Sequence, residues 1–219
     1  LFYILFAVYL VTTFSKQHFI QFTDIHLDLF FEPGSPDNCL FRSMGMPCCR
    51  ASKIRKSPFN VAKKWGSYKC DTPLLLLNST LEWISENIEE DIDFVLNTGD
   101  NADHNIVSQT LYGNVEASKA VQNSIKHWFP NVPILNVLGN HDTYPIDQTL
   151  SFVEKRLYKN LNEVWDIEQL TMEPELEMDL DMGLVMDAEG KTEKISTFRK
   201  GGFYRIDFGG LCLLSINSI

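Results

Sequence analysis

FVLNTGDNADH, Phe94 to His104, runs from an apolar strand through a glycine into Asp and His, and its reading decides the fold. Two other segments repeat the pattern: FIQFTDIH (Phe19–His26) upstream and ILNVLGNHD (Ile134–Asp142) downstream. Each reads as a buried strand whose last residues turn outward carrying Asp, His or Asn. In an open α/β sheet, ligands gather in the crevice beyond the carboxyl ends of the strands, so three such ends can converge on one site. Their side chains are the N and O donors that suit a borderline divalent metal. Three in order predict a metal-dependent hydrolase.

The segments between the strands read as helices. Asp71-Thr72-Pro73 predicts a helix start, with a capping side chain and Pro in the first turn, and Leu77, Leu81, Ile84 and Ile88 follow as one buried stripe. A second helix is predicted over Ile106–Trp128, with Val107, Leu111, Val121, Ile125 and Trp128 facing inward, and a third from Gln148 to about Trp165. The strands read as Asp93–Asn97 and Pro133–Leu138 after the first. Strand, helix, strand, helix, strand implies right-handed crossovers and a mostly parallel sheet. Near the end, Gly201-Gly202 introduces a strand Phe203–Phe208, and Gly209-Gly210 turns it into Leu211–Ile216.

The 219 residues suffice for one sizeable core, and the formal net charge of -10 argues against a general binder of nucleic acid or anionic membranes. Ten carboxylates and no Lys or Arg lie between Glu163 and Glu189, which accounts for the whole imbalance. This stretch reads as a solvated or disordered insertion at about 166–194; a calcium loop of the EF-hand kind is disfavoured because Gly183 falls in the wrong place. The opening LFYILFAVYLVTTFS is apolar and sized for a signal-peptide core, so residues 1–15 are expected to be a signal peptide or signal anchor, with a buried element as the remaining option. Cys39, Cys48, Cys49 and Cys70 cluster in a loop-like region. A secretory setting favours disulfides over a zinc knuckle, with three pairings open. Asn78-Ser79-Thr80 is a glycosylation sequon. Cys212 reads as a buried thiol in an apolar strand, and His18 and His127 have no context that gives them a role.

At the strand ends, Asp24 and His26 are two apart and can reach one ion. Gly99 and Gly139 directly precede Asp100 and Asn140-His141, where glycine allows positive φ and close backbone approach. Asp100 is the natural bridging ligand, because a carboxylate has two oxygens and can hold two cations about 3.5–4 Å apart. Two such cations lower the pKa of a shared water so that hydroxide exists near neutral pH.

At these residues the chain resembles the calcineurin-like metallophosphoesterases, whose blocks are D-x-H, G-D and G-N-H-[DE]. More narrowly, it resembles the acid sphingomyelinase-like phosphodiesterases, through TDIHLD (Thr23–Asp28), Cys48-Cys49-Arg50, TGDNADH (Thr98–His104), WGSYKCDTP (Trp65–Pro73), LGNHDTYP (Leu138–Pro145) and TFRKGGFY (Thr197–Tyr204). The resemblance implies an α/β fold, a metallophosphoesterase-type β-sandwich flanked by helices on a βαβαβ core. It makes residues 16–219 the amino-terminal portion of a catalytic domain, incomplete at its C-terminus. It implies two divalent ions, zinc by preference: Asp24 and His26 bind the first, Asp100 bridges and Asn140 binds the second. His104 and His141 would contact the phosphate and help protonate the leaving alkoxide, and the disulfides would be Cys39–Cys48 and Cys49–Cys70.

The family completes its site with three further histidines, and none follows His141, so weak metal binding and little activity are expected of this chain alone. The expected function is phosphodiester hydrolysis of the sphingomyelin type by a metal-activated hydroxide, in a secreted or lysosomal protein. The implied partners are a phosphodiester, with a phospholipid and membrane-surface contact among the options, and no nucleic acid. Nucleotides, CDP-alcohols or polyphosphate are alternative substrates, and a catalytically silent binding module is the alternative of a different class.

Overall fold

The computed structural model describes residues 16–39, 48–51, 60–148, 151–170, 183–186, 192–208 and 211–217. The expected leader at 1–15 lies outside them.

β1 (Phe19–Phe22), β4 (Phe94–Asn97) and β5 (Ile134–Asn136) form a three-stranded parallel sheet with β4 in the middle. Phe19 lies opposite Phe94, and Val95 opposite Ile134. Parallel neighbours need crossovers, and α1 (Leu74–Asn87) and α2 (Leu111–Trp128) lie in them. Successive residues of β4 point to opposite faces, and both faces are covered. Phe94 packs with Leu157, Tyr158, Leu161 and Trp165 of α3 (Ser151–Trp165) and with Phe198, whereas Val95 packs with Leu77 and Leu81 of α1 and with Val121 and Ile125 of α2. An all-apolar strand is the consequence, which is why the segment was readable as sheet.

Several boundaries differ from expectation. α1 begins at Leu74 with Pro73 in the capping position and no side-chain cap; the Asp71 carboxylate is engaged elsewhere. Ile88 is the half-exposed residue that ends α1, so the buried stripe is Leu77 and Leu81 with Ile84 at its edge. α2 begins at Leu111, capped by the Thr110 side chain on the Gly113 N–H, so Ile106 and Val107 sit outside it and are exposed. The acidic stretch is structured at both ends: α4 (Ile167–Leu170) buries Ile167 in the core, and β6 (Gly183–Met186) pairs antiparallel with β7 (Thr192–Ile195). Residues 171–182 and 187–191 lie outside the described set.

α5 (Thr197–Gly201), capped by Ser196, closes with Gly202 in the left-handed region and leads into the antiparallel pair β8 (Tyr204–Phe208) and β9 (Leu211–Ser215). The expected turn at 209–210 is outside the described residues. Cys212 is exposed, not buried. The register explains it: Ile206, opposite Leu213, faces the core, so Cys212, opposite Asp207, is carried to the other face.

In the long connection after β1, β2 (Leu27–Asp28) pairs parallel with β3 (Thr72–Pro73). Disulfides join Cys39 to Cys48 and Cys49 to Cys70, with Cα separations of 5.7 and 6.2 Å. Arg50, next to Cys49, donates from Nε to both oxygens of Asp28 at 2.9 Å and from its terminal nitrogen to Asp103. Burial pushes the Asp28 carboxyl above its usual range, and the guanidinium opposes the shift. Truncating Arg50 to Ala strands two carboxylates, one of them almost wholly buried. We expect a loss of about 3 kcal/mol, read from the urea unfolding midpoint.

Candidate functional site

The parallel pairing of β1 with β4 continues past the strand ends. Asp24 N–H donates to Gly99 O, His26 N–H to Asp100 O and Leu27 N–H to Asn101 O, at 3.1, 2.9 and 2.8 Å. The first two metal-donor segments are therefore laced together by backbone bonds. Asp24, His26 and Asp100 all take positive φ, at 54°, 43° and 57°. Each non-glycine residue held there costs roughly 1–3 kcal/mol, and the surrounding bonds must hold it.

The third segment docks through glycine. A Cβ on Gly139 would lie 2.1 Å from Asp100 Oδ1 and 2.3 Å from Asp100 N, and one on Gly99 would lie 2.3 Å from Gly139 N. Gly99 also has φ 96°, whereas Gly139 is extended and is required by closeness alone. The junction is clamped by Asp142, which accepts N–H bonds from Gly139 (3.0 Å), Asp100 (2.9 Å) and Asn101 (2.9 Å). Burial pushes the Asp142 carboxyl up to about 6, against the pull of these three N–H groups.

These contacts gather the side chains. Asp100 Oδ1 accepts the His141 N–H at 2.9 Å, which leaves Oδ2 3.8 Å from His26 Nε2; Asp24 Oδ1 is also 3.8 Å from that nitrogen. His26 Nδ1 is bonded to Ala102 O at 2.9 Å, so Nδ1 carries the proton and Nε2 is the free ligand atom. Burial lowers the His26 pKa, with His104 and His141 adding to the effect against Asp100 and the Ala102 carbonyl. A neutral imidazole is the form a metal binds. The rings of His26, His104 and His141 lie 3.9–4.7 Å apart between centroids. Asp24, His26 and Asp100 offer one ligand atom each within 4.8 Å of one another, as do the three histidines. Carboxylate and imidazole atoms that close suit a divalent cation such as zinc, so the donor set fits the expected metal.

Of the remaining expected site residues, Asn140 opens a 3₁₀ turn (Asn140–Asp142), and its amide NH₂ donates to Asp147 Oδ1 at 2.7 Å. A carboxylate accepts only, so the amide oxygen is the atom left for a cation. Asn78 sits half-buried on α1, apart from this cluster.

Three residues that sequence reasoning gave no site role complete the picture. Asp71 accepts the His104 N–H at 2.8 Å and faces His104 Nδ1 at 2.7 Å. Asp142 is the clamp, and Asp147 holds Asn140. Asp142 stood inside the GNHD block and was discoverable there. Asp71 lies 33 residues from its partner, and only its place beside Cys70 hinted at a constrained position.

Residues 18–205 match the model of the calcineurin-like phosphoesterase family. The chain belongs to that family. Sphingomyelin phosphodiesterase B of Dictyostelium discoideum is 35% identical over 130 residues, covering 58% of this chain and 20% of the relative. Sphingomyelinase phosphodiesterase C of the same organism is 29% identical over 227 aligned positions, covering 100% of this chain and 44% of the relative. An endopolyphosphatase of Schizosaccharomyces pombe is 27% identical over 209 residues, covering 92% of this chain and 32% of the relative. The chain thus spans less than half the length of these curated relatives.

A Gly139→Ala substitution puts a methyl group into the Asp100 backbone, and neither loop can yield without breaking the Asp142 bonds. We expect about 1–3 kcal/mol of destabilisation by thermal unfolding, together with weakened zinc binding by titration calorimetry.

Proposed function

We propose that this domain hydrolyses phosphodiesters of the sphingomyelin type using two divalent cations, zinc by preference. The observation that carries the reading is the convergence of Asp24, His26 and Asp100 on one point beside the His104 and His141 rings. In it, Asp24 and His26 hold the first ion, Asp100 bridges and Asn140 holds the second through its amide oxygen. The ions supply Lewis acidity toward phosphoryl oxygens and a water of lowered pKa.

The chain's own residues do the rest. His104, backed by Asp71 on Nδ1, presents its other nitrogen to the leaving alkoxide. A proton passes from that nitrogen to the alkoxide as its P–O bond breaks and a P–O bond to water forms, giving a phosphomonoester and an alcohol. His141, with Nδ1 3.3 Å from the Asp103 carbonyl, donates to a non-bridging phosphate oxygen. Two disulfides and the Asn78 sequon support a secreted or lysosomal setting, with Asn78 glycosylated. Polyphosphate is the second substrate reading, favoured by the endopolyphosphatase relative.

The test is turnover of sphingomyelin, polyphosphate and a chromogenic phosphodiester by the full-length protein, before and after zinc chelation. We expect chelation to abolish turnover and zinc to restore it; chelation-insensitive turnover sinks the two-metal reading, and none on any substrate leaves the silent-module alternative. His104→Ala should lower kcat by about 10²–10⁴. Asp71→Asn should lower kcat in the same direction with KM unchanged, because an amide can accept or donate and no longer fixes the imidazole tautomer.

A further inference from the structure

We infer that the turn and helix start flanking Asp71 form a docking surface for an anionic phospholipid membrane, beside the proposed site. The inference rests on the phosphodiesterase reading for its purpose, though not for its physical basis.

Lys63 and Gly66 exchange backbone hydrogen bonds, at 3.3 and 3.0 Å, and so close a tight turn with Lys64 and Trp65 at its tip. Gly66 has φ 111°, which a side chain would resist. Lys64 Nζ lies 4.8 Å above the Trp65 ring, so cation and aromatic face project together. Trp65 is 50% exposed, Tyr68 is fully exposed, and Lys63 and Lys69 are exposed on either side. The first turn of α1 adds exposed Leu74, Leu75 and Leu76. Trp65, Tyr68, Pro73 and Leu76 line one cavity of about 700 Å³, and Asp71, whose carboxylate holds His104, lines the same cavity.

Exposed Trp and Tyr next to leucines and lysines are the chemistry of a membrane–water interface. The rings occupy the headgroup layer and the cations meet anionic lipid. Charge picks the partner. From Arg50 to Lys69 there are seven cations and no carboxylate, in a chain whose net charge is -10. A bilayer meeting Trp65 and Tyr68 would lie next to the His104 side of the site, where a lipid headgroup phosphate can be delivered without the lipid leaving the membrane.

The experiment is sedimentation of the full-length protein with vesicles of phosphatidylcholine alone or mixed with phosphatidylserine, with a soluble chromogenic phosphodiester assayed in parallel. Wild type should bind the mixed vesicles far better than the neutral ones, and salt should weaken binding. Lys63→Gln with Lys64→Gln should weaken it by roughly 25-fold, at about fivefold for each lysine. Trp65→Ser with Tyr68→Ser should cost about tenfold or more. Both double variants should hydrolyse the soluble diester at the wild-type rate.

Failure of wild type to bind the mixed vesicles overturns the inference. So does binding that both double variants leave intact, or binding to a single-stranded oligonucleotide with none to vesicles. Vesicle binding without hydrolysis of any diester keeps the surface and overturns the phosphodiesterase reading. Hydrolysis without vesicle binding does the reverse.

Discussion

The site depends on one close approach, the contact of the Gly99–Asp100 turn with the Gly139 backbone, where neither glycine has room for a Cβ. That contact places the His141 N–H on Asp100 Oδ1 and so turns Oδ2 toward His26. It also brings three N–H groups to one buried carboxylate, Asp142. Burial alone would make that carboxylate costly, and the N–H groups that accompany it make the ion tolerable. The strained backbone at Asp24, His26 and Asp100 persists for the same reason: bonds on both sides over-determine it.

What the sequence revealed and what it hid divide along one line, the distance over which a residue's role is set. The three strand ends were legible because apolar run, glycine and donor are consecutive. The disulfide pairing came from resemblance and is the pairing found. Asp71 was misread because Asp-Thr-Pro is a good local signal for a helix start, while its actual partner is 33 residues on. A local rule ranked a cap above a contact it could not see. Ile106 and Val107 failed similarly: their apolar character suggested helix, but the chain from His104 to Gln109 serves the site instead. Gln109 donates to the carbonyls of His141 and Thr143 and accepts the Ile146 N–H. Cys212 was misplaced by one strand face, which pattern alone does not settle in a strand apolar on both sides.

The long connection after β1 gains a physical reason from the same contacts. The Cys49–Cys70 bridge joins two cysteines whose next residues are Arg50 and Asp71. Arg50 grips Asp103, and Asp71 grips His104, so one covalent link presents two side chains to successive residues of the loop that begins at Asp100. Arg50 also returns to Asp28, at the end of β2. The disulfide region is therefore a brace, tying the first metal-donor segment to the second from outside the sheet. A loop without periodicity can hold a site only when such links replace the packing that a helix or strand would supply.

Net charge gave the least reliable reading, for a reason that generalises. Ten carboxylates between Glu163 and Glu189 make the chain acidic, while the segment from Arg50 to Lys69 carries only cations. At physiological ionic strength a charge is felt over about 8 Å, so a surface responds to its own neighbours and not to the sum over 219 residues. The argument that an acidic protein avoids an anionic membrane is sound for a uniform sphere. It fails for a chain whose charges are segregated along its length, and this chain segregates them with the cationic run beside Asp71 and the acidic run beyond α3.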